Sequence, residues 1–302
     1  MGTPAFAVFS LKKLVAAREH IVAVITAPDK PQGRGKKIGM SAVKEYALSQ
    51  NLPILQPSNL KNDDFIRTLK ELRADLQIVV AFRMLPEIIW SMPKSGSINL
   101  HASLLPQYRG AAPINWVLIN GENETGVTTF FLNKEIDTGE IIFQEKEQIT
   151  TDDNAESLHD RLMEKGAELV LKTLRAISSN TISTLPQLSV KELKIAPKIF
   201  KEQCEINWRQ SAHEIHDFIR GLSPYPAAWT YLKEEVVKIY KINQTSQKNL
   251  EPGEFKSDGK TFLEVGTLTH NISVISLHLQ GKKKLSIQEF LRGYRYFNTS
   301  LD

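Results

Sequence analysis

Short apolar runs rich in β-branched residues alternate with amphipathic segments through the first half of the chain, and this alternation restricts the fold more than any other feature. HIVAVITA (20–27), LQIVVAF (76–82) and SINLH (97–101) predict strands. Between them, SAVKEYALSQN (41–51) and DDFIRTLKELRA (63–74) have apolar residues at helical spacing. The alternation predicts βαβ units, and therefore an α/β domain with a mostly parallel sheet and helices on both faces.

The second half of the chain has a different organisation. TGVTTFFLN (125–133) and GEIIFQEKEQI (139–149) predict two strands joined by a loop, and a long helix is predicted over 154–177. A stretch rich in Ser, Thr, Pro and Lys follows, and after it the last hundred residues predict one helix and several short strands, which is typical of a small β-barrel or sandwich. We expect a catalytic domain over 1–178, a linker over 179–200 and a C-terminal domain over 201–302.

Composition excludes several classes of protein. The 302 residues include 38 basic and 34 acidic side chains, so net charge alone identifies no partner. Cys204 is the one cysteine, which excludes an internal disulfide and a cysteine-based zinc site. No apolar run approaches the roughly 18 residues of a membrane span, and the N-terminus lacks the basic and apolar regions of a signal peptide. We therefore expect a cytoplasmic protein with no membrane contact.

The sequence begins at a point where a βαβ fold would already have formed its first strand. GTPAF (2–6) has the character of the turn and helix that follow one. We expect that the first strand is missing from this sequence because translation starts upstream of Met1, since a missing central strand would leave its neighbours with unpaired backbone groups.

Polar side chains stand at the end of the strand SINLH, where ligands of parallel sheets bind. Residues two apart in a strand point to the same face, so Asn99 and His101 project together. An amide and an imidazole side by side can both donate hydrogen bonds to one oxygen atom, as an oxyanion requires. Asp137, in the loop between the two later strands, could orient the His101 ring and favour its protonated form. A lone histidine at a strand end is more often structural, and Asp-Thr-Gly is common in turns.

Two longer segments then identify a family. NLHASLLPQYRGAAPINW (99–116) and GVTTFFLNKEIDTGEI (126–141) resemble the 10-formyltetrahydrofolate-dependent formyltransferases. The resemblance also covers GTPAFA, TAPDKPQGRGKK and SPYPAAW, and it weakens after about residue 235. It implies a Rossmann-like catalytic domain, a C-terminal OB-like domain that binds tRNA, 10-formyltetrahydrofolate as the formyl donor, and no metal. The segments are most similar to the branch of the family that formylates methionyl-initiator tRNA for translation initiation, which implies a monomer with that tRNA as partner.

The resemblance also implies roles for individual residues. Asn99, His101 and Asp137 match the catalytic trio of the family. The loop that holds the folate is matched by Ser103, Leu104, Leu105 and Pro106. Many members have Tyr-Gly-x-x-Leu-Pro where this chain has AFRMLP, with Phe82 and Arg83, so the contacts of these two residues with folate stay open.

A basic loop follows the strand HIVAVITA. DKPQGRGKK contains Lys30, Arg34, Lys36 and Lys37 with glycines between them, and its spacing is not that of a phosphate-binding P-loop. Such runs are usually solvated loops. The resemblance implies instead that this loop enters the tRNA acceptor stem, with Arg34, Lys36 and Lys37 as tRNA-binding residues. A second basic segment near the C-terminus suits contacts with RNA phosphates; it contains Lys282, Lys283, Lys284, Arg292 and Arg295.

Other functions remain open from the sequence. A related folate enzyme acting on glycinamide ribonucleotide would share the trio but has no use for the basic loop. A serine hydrolase built on Ser103 lacks the Gly-x-Ser-x-Gly turn, and a metal hydrolase lacks His-Glu-x-x-His or comparable spacing. An RNA-binding protein that keeps the fold without catalysis is the alternative from another class.

Overall fold

A computed structural model describes residues 1–32, 37–188 and 191–293. The chain forms two compact units, each assembled from three segments. The first unit contains 1–110, 124–148 and 159–195, and the second contains 111–123, 149–158 and 196–302.

The described helices and strands follow one another in a fixed order. In chain order they are α1 (Ala5–Ala16), β1 (Val24–Ile25), β2 (Lys30–Gln32), β3 (Lys37–Gly39), α2 (Ala42–Ser49), β4 (Ile54–Leu55), α3 (Asp63–Glu71), β5 (Gln77–Val80), α4 (Glu87–Trp90), β6 (Ser97–His101), β7 (Arg109–Gly110), α5 (Pro113–Ile119), β8 (Glu124–Phe131), β9 (Ile141–Gln148), α6 (Ala155–Ser178), β10 (Ile195–Ala196), α7 (Ala212–Leu222), β11 (Ala228–Leu232), β12 (Glu235–Gln244), β13 (Phe255–Ser257), β14 (Leu263–Val265), β15 (Ile272–Leu279), β16 (Lys284–Ser286) and α8 (Ile287–Gly293). A short 3₁₀ helix spans Lys201–Cys204.

The first unit has the predicted α/β character. Strand β1 pairs with β4 in parallel, and β5 pairs with β6 in parallel. The order of the larger sheet is β5-β6-β8-β9, in which β6–β8 and β8–β9 are antiparallel. The α/β fold is confirmed. The antiparallel pair β8–β9 is a hairpin, which reverses the chain without a crossover helix. This hairpin carries the loop that contains Asp137 next to the end of β6.

The first two residues lie between β1 and β5. The Gly2 amide donates to the carbonyl of Ile25 at 3.0 Å, and the Val80 amide donates to the carbonyl of Met1 at 2.9 Å. The α-amino nitrogen of Met1 donates to the carbonyl of Ile78 at 2.6 Å, and burial lowers its pKa to about 5. A cavity of about 710 Å³ lies beside this position, and its lining includes β1 and β5. Met1 and Gly2 thus occupy the position of a central strand over two residues only.

Helix α6 covers one face of β6. A Cβ atom on Gly166 would lie 2.7 Å from Cδ2 of Leu100, so the helix approaches the strand closely at this glycine. Leu100 therefore points toward α6. Because side chains alternate along a strand, Asn99 and His101 point to the opposite face, as the spacing predicts.

The second unit is built on an antiparallel sheet with the order β11-β12-β15-β14-β13, and β16 pairs with β15. Helix α7 begins with a capping box, in which Ser211 accepts from the Glu214 amide and Glu214 accepts from the Ser211 amide. Its buried face, with Ile215 and Ile219, packs against the sheet core. The predicted helix and short strands are confirmed, whereas closure into an OB-like barrel stays a prediction. Among the described residues, no helix combines the length and the apolarity needed to cross a membrane.

Candidate active site

The C-terminal end of β6 presents two polar side chains on one face of the sheet. Asn99 is half-buried, and within residues 1–32, 37–188 and 191–293 its amide makes no hydrogen bond. His101 is buried, with a residual exposure of 7%. An unpaired amide beside a buried imidazole leaves donor groups available to a ligand oxygen.

The orientation of the His101 ring is fixed by a backbone carbonyl. Its Nε2 atom lies 2.8 Å from the carbonyl oxygen of Tyr108. A carbonyl can only accept, so Nε2 carries the hydrogen and donates it. Tyr108 has a φ of 60°, a left-handed conformation that turns its carbonyl back toward the histidine. The Nδ1 atom is therefore the ring position that is left for chemistry.

Asp137 faces the other side of the imidazole. Its Oδ2 atom lies 3.8 Å from Nδ1 of His101 and accepts a hydrogen bond of 3.0 Å from the Gly110 amide. The carboxylate side chain is only 11% exposed. The structure thus brings Asn99, His101 and Asp137 of the predicted trio to one end of the sheet.

The loop Ser103–Pro106 follows β6 directly and is held by the β8–β9 hairpin. Thr128 Oγ1 donates to the carbonyl of Ser103 at 2.6 Å and accepts from the Leu105 amide at 3.2 Å. Gln144 Nε2 donates to the carbonyl of Leu105 at 2.9 Å. Since these three backbone groups are hydrogen-bonded within the protein, they hold this part of the loop in place at the sheet end.

The hydroxyl of Ser103 also takes part in a hydrogen bond within the protein. It donates to the carbonyl of Gln107 at 2.7 Å, and Ser103 is fully buried. A nucleophilic serine needs its hydroxyl on a base and open to substrate, so this geometry disfavours the serine hydrolase. No group of three His, Cys, Asp or Glu side chains with the geometry of a metal site is found among the described residues.

Arg83, whose role the sequence leaves open, contacts a neighbouring loop. Its Nη1 atom donates to the carbonyl of Ser58 at 2.9 Å, and its Nη2 atom donates to the carbonyl of Pro57. The guanidinium carbon lies 5.5 Å from the centre of the Phe82 ring. These contacts tie Arg83 to the backbone of 57–58.

The basic loop is only partly described. Arg34 and Lys36 lie outside the described residues, and of Lys37 the backbone alone is described, paired with Gln32 in the β2–β3 hairpin. Below the hairpin, Asp29 forms an ion pair of 2.5 Å with Lys44. Hydrogen bonds from Lys44 and Gln56 lower the pKa of the Asp29 carboxyl. The base of the loop is thus held to α2.

In the second unit, a basic and aromatic patch lies on neighbouring strands. Lys284 Nζ lies 4.5 Å above the centre of the Tyr240 ring, and the hydroxyl of Tyr240 is 3.3 Å from Nδ1 of His278. Burial raises the pKa of Tyr240. Lys282 and Lys283 are exposed, whereas Arg295 lies outside the described residues.

A further set of residues near the site was not identified from the sequence. Residues 184–188 and 191–194, called the strap below, run beside the loops that follow β6 and β8. The Tyr108 amide donates to the carbonyl of Lys194 at 2.7 Å, and Gln187 contacts Asp137. The strap belongs to a stretch, about 178–200, that is rich in Ser, Thr, Pro and Lys and has no clear periodicity, so the sequence contains no signal for these contacts.

Comparisons with known families cover most of the chain. The family model described as "Formyl transferase" matches residues 2–174, and the model described as "Formyl transferase, C-terminal domain" matches residues 198–295. The methionyl-tRNA formyltransferase of Bacteroides fragilis is 54% identical over 303 residues, which cover 97% of this chain and 94% of the relative. The corresponding protein of Phocaeicola vulgatus is 55% identical over 306 residues, with coverage of 98% and 94%.

Solved structures with the same fold are more distant. WlaRD, described as a sugar 3N-formyl transferase, superposes with a TM-score of 0.67 at 22% identity, covering 93% of this chain and 97% of its own. HypX of Aquifex aeolicus, solved in complex with tetrahydrofolic acid, superposes with a TM-score of 0.61 at 19% identity, covering 83% and 44%. At these identities the likeness extends to the fold alone. On the two family matches and the close relatives, the chain belongs to the formyl transferase family.

Proposed function

We propose that this chain transfers the formyl group of 10-formyltetrahydrofolate to the α-amino group of methionyl-initiator tRNA, which gives N-formylmethionyl-tRNA for translation initiation. The observation that carries the proposal is sequence identity above 50%, over nearly the full length, to relatives named for this reaction. Identity at this level, spread over both family regions, supports the same substrates as well as the same fold.

The residues at the end of β6 fit a formyl donor. Transfer of a formyl group develops negative charge on its carbonyl oxygen, which requires hydrogen-bond donors in a site with little water. In the part of the chain that the structure describes, the Asn99 amide has no hydrogen-bond partner, His101 is buried and Asp137 is nearly so. The folate supplies the activated formyl carbon. Asn99 and His101 supply the hydrogen-bond donors, and Asp137 supplies a negative charge beside His101.

Asn99 and His101 act on the formyl oxygen in this proposal. Nδ2 of Asn99 donates to it. Nε2 of His101 already donates to Tyr108, so His101 donates from Nδ1, which requires the doubly protonated ring. The Asp137 carboxylate, 3.8 Å from that atom, balances the positive charge on the ring and holds its orientation.

The attacking α-amino group must lose a proton, and the folate nitrogen that leaves must gain one. The His101–Asp137 pair is the titratable pair beside β6 that can accept or supply such a proton. Proton transfer by a positioned group typically contributes about 10²- to 10⁴-fold in rate. The doubly protonated ring can supply a proton from Nδ1, and the neighbouring Asp137 carboxylate can accept one.

Binding of the two substrates is assigned to the loops. Ser103, Leu104, Leu105 and Pro106 form the wall against which the folate packs. Arg34, Lys36 and Lys37 contact the acceptor stem of the tRNA, and the basic patch with Lys284 contacts its phosphates. A planar guanidinium can form paired hydrogen bonds with a phosphate or a base edge, which makes Arg34 the principal residue of the loop.

We also propose that the protein acts as a monomer in the cytoplasm. Charged initiator tRNA and the reduced folate are both substrates of that compartment. Sedimentation of the purified chain at micromolar concentration tests the first part, since a dimer at that concentration would contradict it.

A transfer assay tests the proposed function. Purified chain is incubated with 10-formyltetrahydrofolate and either methionyl-initiator tRNA, methionyl-elongator tRNA, glycinamide ribonucleotide or an amino sugar nucleotide. We expect formylation of the initiator tRNA and little of the other acceptors. Formylation of one of the small acceptors with none of the tRNA, or no reaction with any acceptor, would contradict the proposal.

A further inference from the structure

Gln187 lies at the centre of a closed ring of contacts around Asp137. Its Nε2 atom donates to the carbonyl of Asp137 at 2.9 Å and to the carbonyl of Gly139 at 2.8 Å. Its Oε1 atom accepts from Nε and Nη2 of Arg109 at 3.0 and 2.6 Å. Both amide hydrogens and the amide oxygen are thus used, which is complete pairing for a half-buried glutamine.

The carboxylate of Asp137 completes this ring of contacts. Gly110, the residue after Arg109, donates its amide to Oδ2 of Asp137 at 3.0 Å. Gln187 therefore contacts both sides of this bond: Asp137 through its backbone carbonyl, and Gly110 indirectly, through the guanidinium of the preceding residue, Arg109. A shift of either partner changes where the carboxylate lies relative to His101.

The backbone at Asp137 needs such support. Asp137 has a φ of 55°, in the left-handed region that a non-glycine residue adopts at a cost of about 1 kcal/mol or more. Two residues later, a Cβ atom on Gly139 would lie 1.6 Å from the carbonyl oxygen of Phe131, so the chain passes very close to the end of β8 there. A strained turn keeps one conformation only where surrounding contacts determine it.

The strap pairs with the start of β9, and this pairing places Gln187 beside the Asp137 turn. Leu185 and Ile141 exchange backbone hydrogen bonds of 2.8 and 2.9 Å, and Thr184 donates to the Glu140 carboxylate at 2.6 Å. Further along, the Gln107 side chain donates to the carbonyl of Glu192. Gln187 thus projects from a segment that is fixed on both sides.

We infer that Gln187 is a positioning residue for formyl transfer, which acts through Asp137 by fixing the Asp137 turn and the Gly110 amide. The inference rests on the proposed function, because it assigns Asp137 a part in the reaction. Catalytic groups displaced by about 1 Å commonly lose about 10²-fold in rate, so the expected effect on kcat is about 10- to 100-fold.

Two substitutions separate the contacts of Gln187. Gln187→Met keeps the length and removes every hydrogen bond. Gln187→Glu keeps acceptors for Arg109 but cannot donate to the carbonyls of Asp137 and Gly139, and it is the second variant to measure if the Met variant does not fold. Gln148→Met is the matched control, since Gln148 is exposed and its side chain donates to Glu124, away from Asp137 and Gly110.

The kinetic test measures kcat and the KM for both substrates, together with Tm. We expect both Gln187 variants to lose kcat 10- to 100-fold with each KM within about twofold and Tm close to that of the parent protein. The control should be unchanged. In an Asp137→Asn background the Gln187→Glu substitution should add little further loss, because the group that it positions is already altered. Full kcat in Gln187→Glu, or an additive loss in the double variant, would overturn the inference.

A structural readout separates this inference from the proposed function. In a crystal structure of Gln187→Glu, we expect Asp137 to leave its position and its bond to the Gly110 amide to be broken. An unchanged Asp137 would overturn the inference whatever the activity of the protein. Failure of the parent chain to formylate methionyl-tRNA would instead refute the proposed function alone.

Discussion

The Nδ1 atom of His101 lies 3.8 Å from Oδ2 of Asp137, although the two residues come from different elements of the sheet. His101 ends β6, and Asp137 lies in the turn between β8 and β9. In the antiparallel pairing of β6 with β8, Thr128 lies opposite His101 and Phe131 lies opposite Ile98. Strand β8 therefore ends beside the start of β6, and the turn that follows it folds back to bring Asp137 to His101. At this distance the Asp137 carboxylate can balance a positive charge on the His101 ring. A small movement of either side chain would allow a direct hydrogen bond between them.

Replacement of His101 by Ala should lower kcat far more than it changes either KM. The ring provides a donor to the developing charge and a site for a proton, so we expect a loss of at least about 10³-fold. Steady-state kinetics with both substrates measure it. His270→Ala serves as the control, because His270 is exposed in the second unit. A raised KM with unchanged kcat would make His101 a binding residue instead.

Replacement of Asn99 by Asp should also remove activity while the protein stays folded. The two side chains have the same shape, but a carboxylate accepts where the amide donates, and it places negative charge where negative charge develops. We expect kcat to fall about 10²- to 10³-fold, the typical loss for one oxyanion donor. Near-normal kcat in a folded variant would show that Asn99 does not face the formyl oxygen.

Replacement of Arg34 by Ala should weaken tRNA binding selectively. We expect a higher KM for methionyl-tRNA and an unchanged KM for the folate. The log–log salt dependence of tRNA affinity should become shallower by about one unit for each phosphate that the variant no longer neutralises. Lys70→Ala, at an exposed lysine of α3, provides the control. If tRNA affinity is independent of salt between low and physiological levels, phosphate contacts do not hold the tRNA.

Replacement of Asp217 by Asn should destabilise the second unit in a pH-dependent way. Asp217 is buried on α7 and pairs with Arg220 at 2.7 Å, and His213 and His216 also face it. Burial alone would raise its pKa, but hydrogen bonds from His216 and Arg220 outweigh burial, so the pKa is lowered from 3.8. Breaking such a buried pair typically costs about 3 kcal/mol.

The sign of the pH dependence follows from the lowered pKa. The stabilisation by Asp217 is fully present above the unfolded value of 3.8, and it is lost as the pH falls through the lower folded value. Thermal unfolding of both proteins between pH 7 and pH 3 measures it. We expect the variant to have the lower Tm at pH 7 and the gap to narrow below about pH 4. A gap that widens as the pH falls would contradict this assignment.

Periodicity predicts the elements that position the site but not their exact limits. SINLH (97–101) coincides with β6, and the amphipathic segment 154–177 is α6 within one residue at each end. Of HIVAVITA, the strand β1 contains Val24–Ile25, the two residues that lie in register with Ile54 and Leu55 of β4. A run of β-branched residues predicts a strand only where a neighbouring strand completes its ladder.

Contacts that depend on the conformation of the backbone cannot be predicted from the sequence. The same-face placement of Asn99 and His101 follows from the strand period, whereas the approach of Asp137 depends on how the turn after β8 folds back toward His101. The carbonyl of Tyr108, which fixes the His101 ring, depends on a left-handed φ at a residue other than glycine. Gln187 comes from a segment without periodicity, so only the folded chain identifies it.

The central claim is that Asn99, His101 and Asp137 surround the formyl group that is transferred. A crystal structure with a stable 10-formyl folate tests it most directly, through the distances from the formyl oxygen to Nδ2 of Asn99 and Nδ1 of His101. The account predicts that both distances are about 3 Å, with the formyl carbon on the side of the sheet away from α6. A formyl group seated elsewhere, beyond hydrogen-bond reach of both side chains, would contradict it.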